Sequence, residues 1–362
     1  MRRTRHLVTI LAPALLMLTS IAMGAADASA VTQVSTGAKT VGGRIGFSNG
    51  HETLWISDAD LRSDLNGMAS IGARWLRLDF DWPSVQAGGR DTWNWSHIDR
   101  VVQAARARGI SILTMPAYTP AWARPAGSTD KHPPTDPGDY ARFVKEAARR
   151  YRPLGVRHWE IWNEPNQSVF WSPHPNVGAY AHLFIRAADA IHEMDPGATV
   201  MTAGLAPAAN VTGTSIAPAT FVSGLYARGA GPHLDAIGMH PYTFPYAPRY
   251  AAEWNPFYRL PAIYRIMAAH GDGAKKIWAT EVGFGTGSSD RSISPELQAG
   301  YARRLVGAWL TYSFAGNLFW YSYRDHSTDT ADVWQNMGVV RRDWSGKPAR
   351  SAMADALLRP LA

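Results

Sequence analysis

Glu164 and Glu281 are the residues around which chemistry can be built. Glu164 sits in Trp162-Asn163-Glu164-Pro165 and Glu281 in Ala279-Thr280-Glu281-Val282, 117 residues further along. Glu281 closes a short apolar run, where a solvated ion-pair partner does not belong. Two carboxylates facing one cleft suit acetal chemistry on sugars. One keeps its proton and serves as an acid, while the other stays ionised as nucleophile or base. Glu160 lies deeper in the same run as Glu164, and alternation along an extended chain points Glu160, Trp162 and Glu164 to one side. It is expected as a buried partner of the site and not as the acid. Asp79 and Asp325 are weaker competitors.

Other chemistries find little support. With no cysteine among 362 residues, thiol nucleophiles, disulfides, zinc ribbons and iron–sulfur clusters are excluded. His192-Glu193 lacks a second histidine at zincin spacing. A metal-dependent hydrolase would need His and Asp ligands at several strand ends, and only His240 is so placed. Gly283-Phe284-Gly285-Thr286-Gly287 follows an apolar run but opens no dinucleotide-binding unit. No metal and no organic cofactor is expected.

Short apolar runs at 44–47, 74–80, 110–115, 157–163, 199–203, 234–240, 276–281 and 318–323 predict eight strands, with helical periodicity between them. One helix begins at the cap Asp136 with Pro137 in its first position, and carries Tyr140, Phe143, Val144, Ala147 and Tyr151 on one face. A second begins at Ser294-Pro295 and is expected to bury Leu297, Tyr301, Leu305, Ala308 and Tyr312. A third begins at Ser96, with Ile98, Val101, Val102 and Ala105 on its stripe. Strands alternating with helices predict an α/β fold with parallel pairing, and eight such units a single (β/α)8 TIM barrel over residues 43–362. Catalytic groups in such a barrel stand at the carboxyl ends of the strands. Glu164 after the fourth strand and Glu281 on the seventh then share one mouth.

Trp162-Asn163-Glu164-Pro165 on the fourth strand and Thr280-Glu281 on the seventh resemble the retaining glycoside hydrolases of clan A, nearest to families 5 and 39. The resemblance covers the whole barrel. It implies Glu164 as acid/base and Glu281 as nucleophile, acting on a β-linked polysaccharide or oligosaccharide. It also implies Arg77 as the arginine that steadies the nucleophile, and Asn163 as a contact to the sugar 2-hydroxyl. His240-Pro241-Tyr242 resembles the family's His-x-Tyr element, whose tyrosine bonds the nucleophile, and Trp320 matches the platform under the sugar. An inactive carbohydrate-binding barrel and an exo-acting β-xylosidase-like enzyme are the alternatives. The flanking Trp162 and Trp171 themselves predict a partly apolar setting that keeps the Glu164 proton in place, and Arg77 with Tyr242, where the resemblance places them, implies an ionised Glu281.

The chain carries 15 Trp. Trp82, Trp122 and Trp171 fall after strands two, three and four, where indole faces could stack on sugar rings. Such loops predict an elongated aromatic groove that prefers long glycans. The net charge of +7 is spread over arginine pairs such as Arg149-Arg150 and Arg303-Arg304, without a clustered stripe, so no nucleic-acid partner is expected. Arg2, Arg3 and Arg5, the apolar run 7–18 and Ala28-Ser29-Ala30 predict a signal peptide over 1–30, followed by a linker over 31–42. Secretion or attachment to a bacterial cell envelope is expected, with Arg2-Arg3 compatible with the twin-arginine route. No membrane span is expected in the mature chain, which should be a monomer.

Overall fold

The structure is a computed structural model that describes residues 39–361, and the expected signal peptide lies outside them. Eight parallel strands close a barrel in sequence order, each hydrogen-bonded to the next and the last to the first. In chain order the elements are β1 (Ile45–Ser48), α1 (Asp58–Ser70), β2 (Trp75–Asp81), the single turn α2 (Trp82–Val85), α3 (Ser96–Arg106), β3 (Ser111–Ala117) and α4 (Pro137–Tyr151). They continue as β4 (His158–Ile161), α5 (Val177–Met194), β5 (Thr199–Thr202), α6 (Pro218–Tyr226), β6 (Ala236–Met239) and α7 (Pro256–Ala269). The last are β7 (Lys276–Val282), α8 (Pro295–Leu310), β8 (Ala315–Trp320) and α9 (Pro348–Leu357). The eight strands and the single (β/α)8 barrel are those expected from the apolar runs, with ends displaced by at most three residues.

Helix starts follow the sequence signals. Asp136 accepts from the Gly138 amide to cap α4, and Ser294 from the Leu297 amide to cap α8. The stripes expected on α3 and α4 are buried as read. On α8 the expected stripe is turned. Leu297 is 41% exposed and Ala308 only half-buried, while Gln298, Ala302, Val306 and Trp309 join Tyr301 and Leu305 in the core. Bulk decides this, because Trp309 fills the space behind β8, its indole N–H donating to the Gly316 carbonyl.

Strand parity sets what faces the barrel axis. On β2, Leu76, Leu78 and Phe80 join the outer core, while Trp75 and Arg77 turn inward. The amino end of the barrel is plugged by Leu113, Met201, Trp278 and Phe319 with Trp75 against them. The ring of Trp75 stands edge-on to Trp278 at 5.6 Å. This apolar floor leaves only the carboxyl end of the barrel for polar side chains. At the amino end of the chain, Thr40 pairs with Pro360 and the buried Val41 donates to the Arg359 carbonyl. The last residues of the expected linker thus pack against the barrel. No helix among the described residues is long and apolar enough to cross a membrane.

Candidate active site

Above the apolar floor lies a layer of buried charge. Arg77 on β2 is 1% exposed and Glu160 on β4 is fully buried. The guanidinium donates twice to the Glu160 carboxylate, through Nε at 2.5 Å and Nη2 at 3.2 Å. Glu160 Oε1 also accepts from the Gly204 amide at 2.6 Å and the Thr280 hydroxyl at 2.9 Å. A buried charge pair persists only when its remaining hydrogen-bonding capacity is met, as it is here. Gly204 is required for the close approach: a Cβ there would lie 2.0 Å from His240 Nε2 and 2.4 Å from the Thr280 hydroxyl.

This layer carries the two expected glutamates. Arg77 Nη1 donates to Glu281 Oε1 at 2.5 Å, and the Tyr242 hydroxyl donates to Glu281 Oε2 at 3.0 Å. Burial alone would raise the pKa of Glu281. The charges of His240 and Arg77 and the hydrogen bonds from Tyr242 and Arg77 outweigh it and hold the carboxyl below its ordinary value. Arg77 Nη2 also donates to Asn163 Oδ1 at 2.9 Å, which leaves the Asn163 amide group as a donor at the cavity wall.

Glu164 follows β4 on a backbone that has left the strand. Trp162 has φ 75° and Glu164 has φ 43°, both in the left-handed region that non-glycine residues rarely occupy. Alternation therefore stops at Ile161, and the expected inward trio is broken. Trp162 turns away from the axis, edge-on to Trp171 at 5.4 Å and tilted against Tyr140 of α4 at 6.0 Å. The neighbour of Glu164 is His240, whose Nδ1 lies 2.7 Å from Glu164 Oε1. The same Nδ1 is 3.8 Å from Glu281 Oε2. Burial opposes a charge on His240, but the Glu281 carboxylate and the Glu164 hydrogen bond raise its pKa overall. No described group donates to Glu164 Oε2. With Nδ1 between them, the facing oxygens of Glu164 and Glu281 can be no further apart than the two distances end to end, about 6.5 Å.

Glu164, Glu281, Arg77, Asn163 and Tyr242 line one cavity of about 630 Å³, with His240 behind the two glutamates. The three tryptophans expected there do not. Trp320 is fully buried, its indole N–H bonded to the Met337 carbonyl and its ring against Phe284. Parity explains the correction: Phe319 occupies the barrel axis, so Trp320 faces the helix layer. Trp122 donates to the Gln86 carbonyl and meets Trp82 edge-on, and Trp82 stacks on Phe143 of α4. Trp171, 2% exposed, packs on Trp162 and Tyr180 of α5. All three are packing residues. Aromatic lining comes instead from Tyr118, Phe170, Tyr242, Tyr321 and Trp334. Asp325 pairs with Lys347 at 2.7 Å, outside this cavity, whereas Asp79 lines it.

A closed parallel barrel with an arginine-braced glutamate on β7 and a second glutamate after β4 is the architecture of clan A glycoside hydrolases. The family profile described as Cellulase (glycosyl hydrolase family 5) matches residues 36–252, and the chain belongs to this family. Solved structures share the fold. A family 39 glycoside hydrolase from the gut symbiont Bacteroides cellulosilyticus WH2 superposes with TM-score 0.71 at 22% identity, over 87% of this chain and 63% of that one. A monomeric β-xylosidase from Caulobacter crescentus CB15 gives 0.67 at 18% identity, over 88% and 68%. GH5_18 from Streptomyces cattleya, in complex with GlcNAc, gives 0.64 at 19% identity, over 88% and 80%. The chain thus spans less than two thirds of the length of the first of these. No curated protein matches the chain by sequence.

Proposed function

We propose that this chain is a glycosidase that cleaves a β-linked oligosaccharide or polysaccharide by double displacement, with Glu281 as nucleophile and Glu164 as acid and then base. The observation that carries the proposal is the difference between the partners of the two carboxylates. Glu281 is fixed through both oxygens by a cation and a phenol, which favour its ionised form. Glu164 is held through one oxygen by His240, and no described group donates to its Oε2.

In the first step Glu281 attacks the anomeric carbon while the Glu164 proton passes to the departing glycosidic oxygen, giving a glycosyl ester on Glu281. In the second, Glu164 removes a proton from water, whose oxygen replaces Glu281 at the anomeric carbon. An upper limit of about 6.5 Å between facing oxygens supports retention, because inverting pairs stand roughly 6.5–9.5 Å apart to admit water. Asn163 donates to a sugar hydroxyl, and Tyr321 offers a ring face. Export, directed by the segment 1–30, places the enzyme where extracellular or envelope glycans are found.

Paired substitutions test the roles. Glu281→Ala should abolish turnover of every substrate. Glu164→Ala should still form the glycosyl ester from aryl glycosides with good leaving groups, and azide should restore its second step as a glycosyl azide. Azide rescue of Glu281→Ala with no rescue of Glu164→Ala would reverse the assignment.

A further inference from the structure

The cavity holds a carboxylate that double displacement does not use. Asp79 on β2 is 8% exposed and lines the cavity. No described backbone or side-chain group donates a hydrogen bond to it. Arg77, two residues before it, is engaged with Glu160, Glu281, Asn163 and Ser48. The other charged or titratable groups around Asp79 are Asp81 on the same strand, His51 after β1, Glu281 on β7, and the phenols of Tyr118 and Tyr321. His51 lies nearer Asp81, at 3.5 Å. Burial lifts the Asp79 carboxyl to about 6, against the pull of Arg77 and His51. A carboxylate taken out of water without donors weakens the fold, and a ligand that brings donors removes the penalty.

Charge around the cavity narrows the ligand. Arg77 is the sole cation among its described lining residues, and all its partners are inside the protein. Lys131, at the rim, pairs with Asp130 and lies over the Tyr118 ring. Asp79 and Glu281 present carboxylates, and Glu164 a third carboxyl group, to the same space. A sugar bearing a carboxylate or sulfate would meet repulsion there and no free partner, although the chain as a whole carries +7. Neighbouring hydroxyls of a pyranose ring have the spacing to donate to the two oxygens of one carboxylate.

Building on the glycosidase mechanism above, we propose that Asp79 accepts hydrogen bonds from two neighbouring hydroxyls of the sugar bound at the cleavage point, and that this sugar is neutral, not acidic. The test compares the intact chain with Asp79→Asn on nitrophenyl β-glycosides of glucose, mannose, galactose, xylose and glucuronic acid. The substitution should lower kcat/KM on the preferred neutral glycoside by about 30- to 100-fold, the size expected for charge-assisted hydrogen bonds. It should also remove an inflection near pH 6 from the kcat/KM profile. Thermal unfolding should occur at an equal or higher temperature, the opposite of what a purely structural carboxylate would give.

Monodeoxy glycosides add a coupling test. The two that lack a bound hydroxyl should be poor substrates of the intact chain yet lose little more on Asp79→Asn. A change in kcat/KM under threefold, or glucuronide cleavage as fast as that of the neutral glycosides, overturns the proposal. Calorimetric titration separates this failure from failure of the catalytic roles, since it needs no turnover. Neutral β-linked oligosaccharides of glucose, mannose and xylose are titrated into Glu281→Gln and into Glu281→Gln/Asp79→Asn. At least tenfold weaker binding in the double variant supports the proposal. Equal affinity, or no binding by any neutral oligosaccharide, contradicts it.

Discussion

At the scale of single residues, Arg77 is the hub. Its guanidinium meets Glu160, Glu281 and Asn163 at once, which a lysine ammonium cannot reproduce. Arg77→Lys should therefore cut kcat/KM by 100-fold or more and move the acid limb of its pH profile upward, as Glu281 loses the partner that keeps it ionised. With Asp79→Asn as background, that limb should otherwise lie below the ordinary glutamate value of about 4.3, because Glu281 is held low. Asp79 makes a separate prediction for stability. Its folded value of about 6 exceeds the roughly 3.9 of an unfolded aspartate, so the native chain binds the extra proton between them. The destabilisation it causes is full above pH 6 and vanishes below about pH 4. Denaturant titrations should show Asp79→Asn more stable than the intact chain by up to about 3 kcal/mol at pH 7, with the gap closing toward pH 4.

At the scale of elements, the barrel wall decides which aromatic ring meets the substrate. On β8 the apolar run was legible, but its parity was not, since Phe319, Trp320 and Tyr321 all look suited to either side. Packing of Phe319 against Trp278 fixes the register and sends Trp320 outward. Trp320→Ala should then destabilise the fold by about 3–5 kcal/mol, as loss of a buried indole does. Tyr321→Ala should leave the unfolding midpoint nearly unchanged and lower kcat/KM tenfold or more. Equal stability losses for the two would contradict this placement. Tyr118, Phe170 and Trp334 were illegible for another reason: they lie on loops, where no period assigns a side. The left-handed backbone at Trp162 and Glu164 was equally hidden, because neither residue type favours it. Gly204 shows how tightly β5 and β6 approach. Gly204→Ala would drive a methyl into His240 and Thr280 and should abolish turnover, with far-ultraviolet circular dichroism unchanged at low temperature.

At the scale of the whole molecule, fold and central pair were legible because they rest on patterns that need no contacts. Eight apolar runs at regular spacing imply a closed parallel barrel, and the ends of its strands locate Glu164 and Glu281. The surrounding polar lattice was readable in part. Arg77 stands within β2, and Asn163, His240 and Tyr242 just past strand ends, whereas the expected tryptophans serve the packing between barrel and helices. Net charge is the least informative whole-chain property. The surplus is dispersed, yet the cavity is lined with carboxylates, so a neutral glycan gains nothing from electrostatic steering. Its kcat/KM should change less than twofold between low salt and about 0.3 M, since buried ion pairs are weakly screened. The most direct test of the central claim is the configuration of the first-formed product, followed by proton NMR before mutarotation. Double displacement through Glu281 predicts that a β-glycoside releases the β-anomer first. Release of the α-anomer would mean a single displacement by water, and would contradict the roles given to both glutamates.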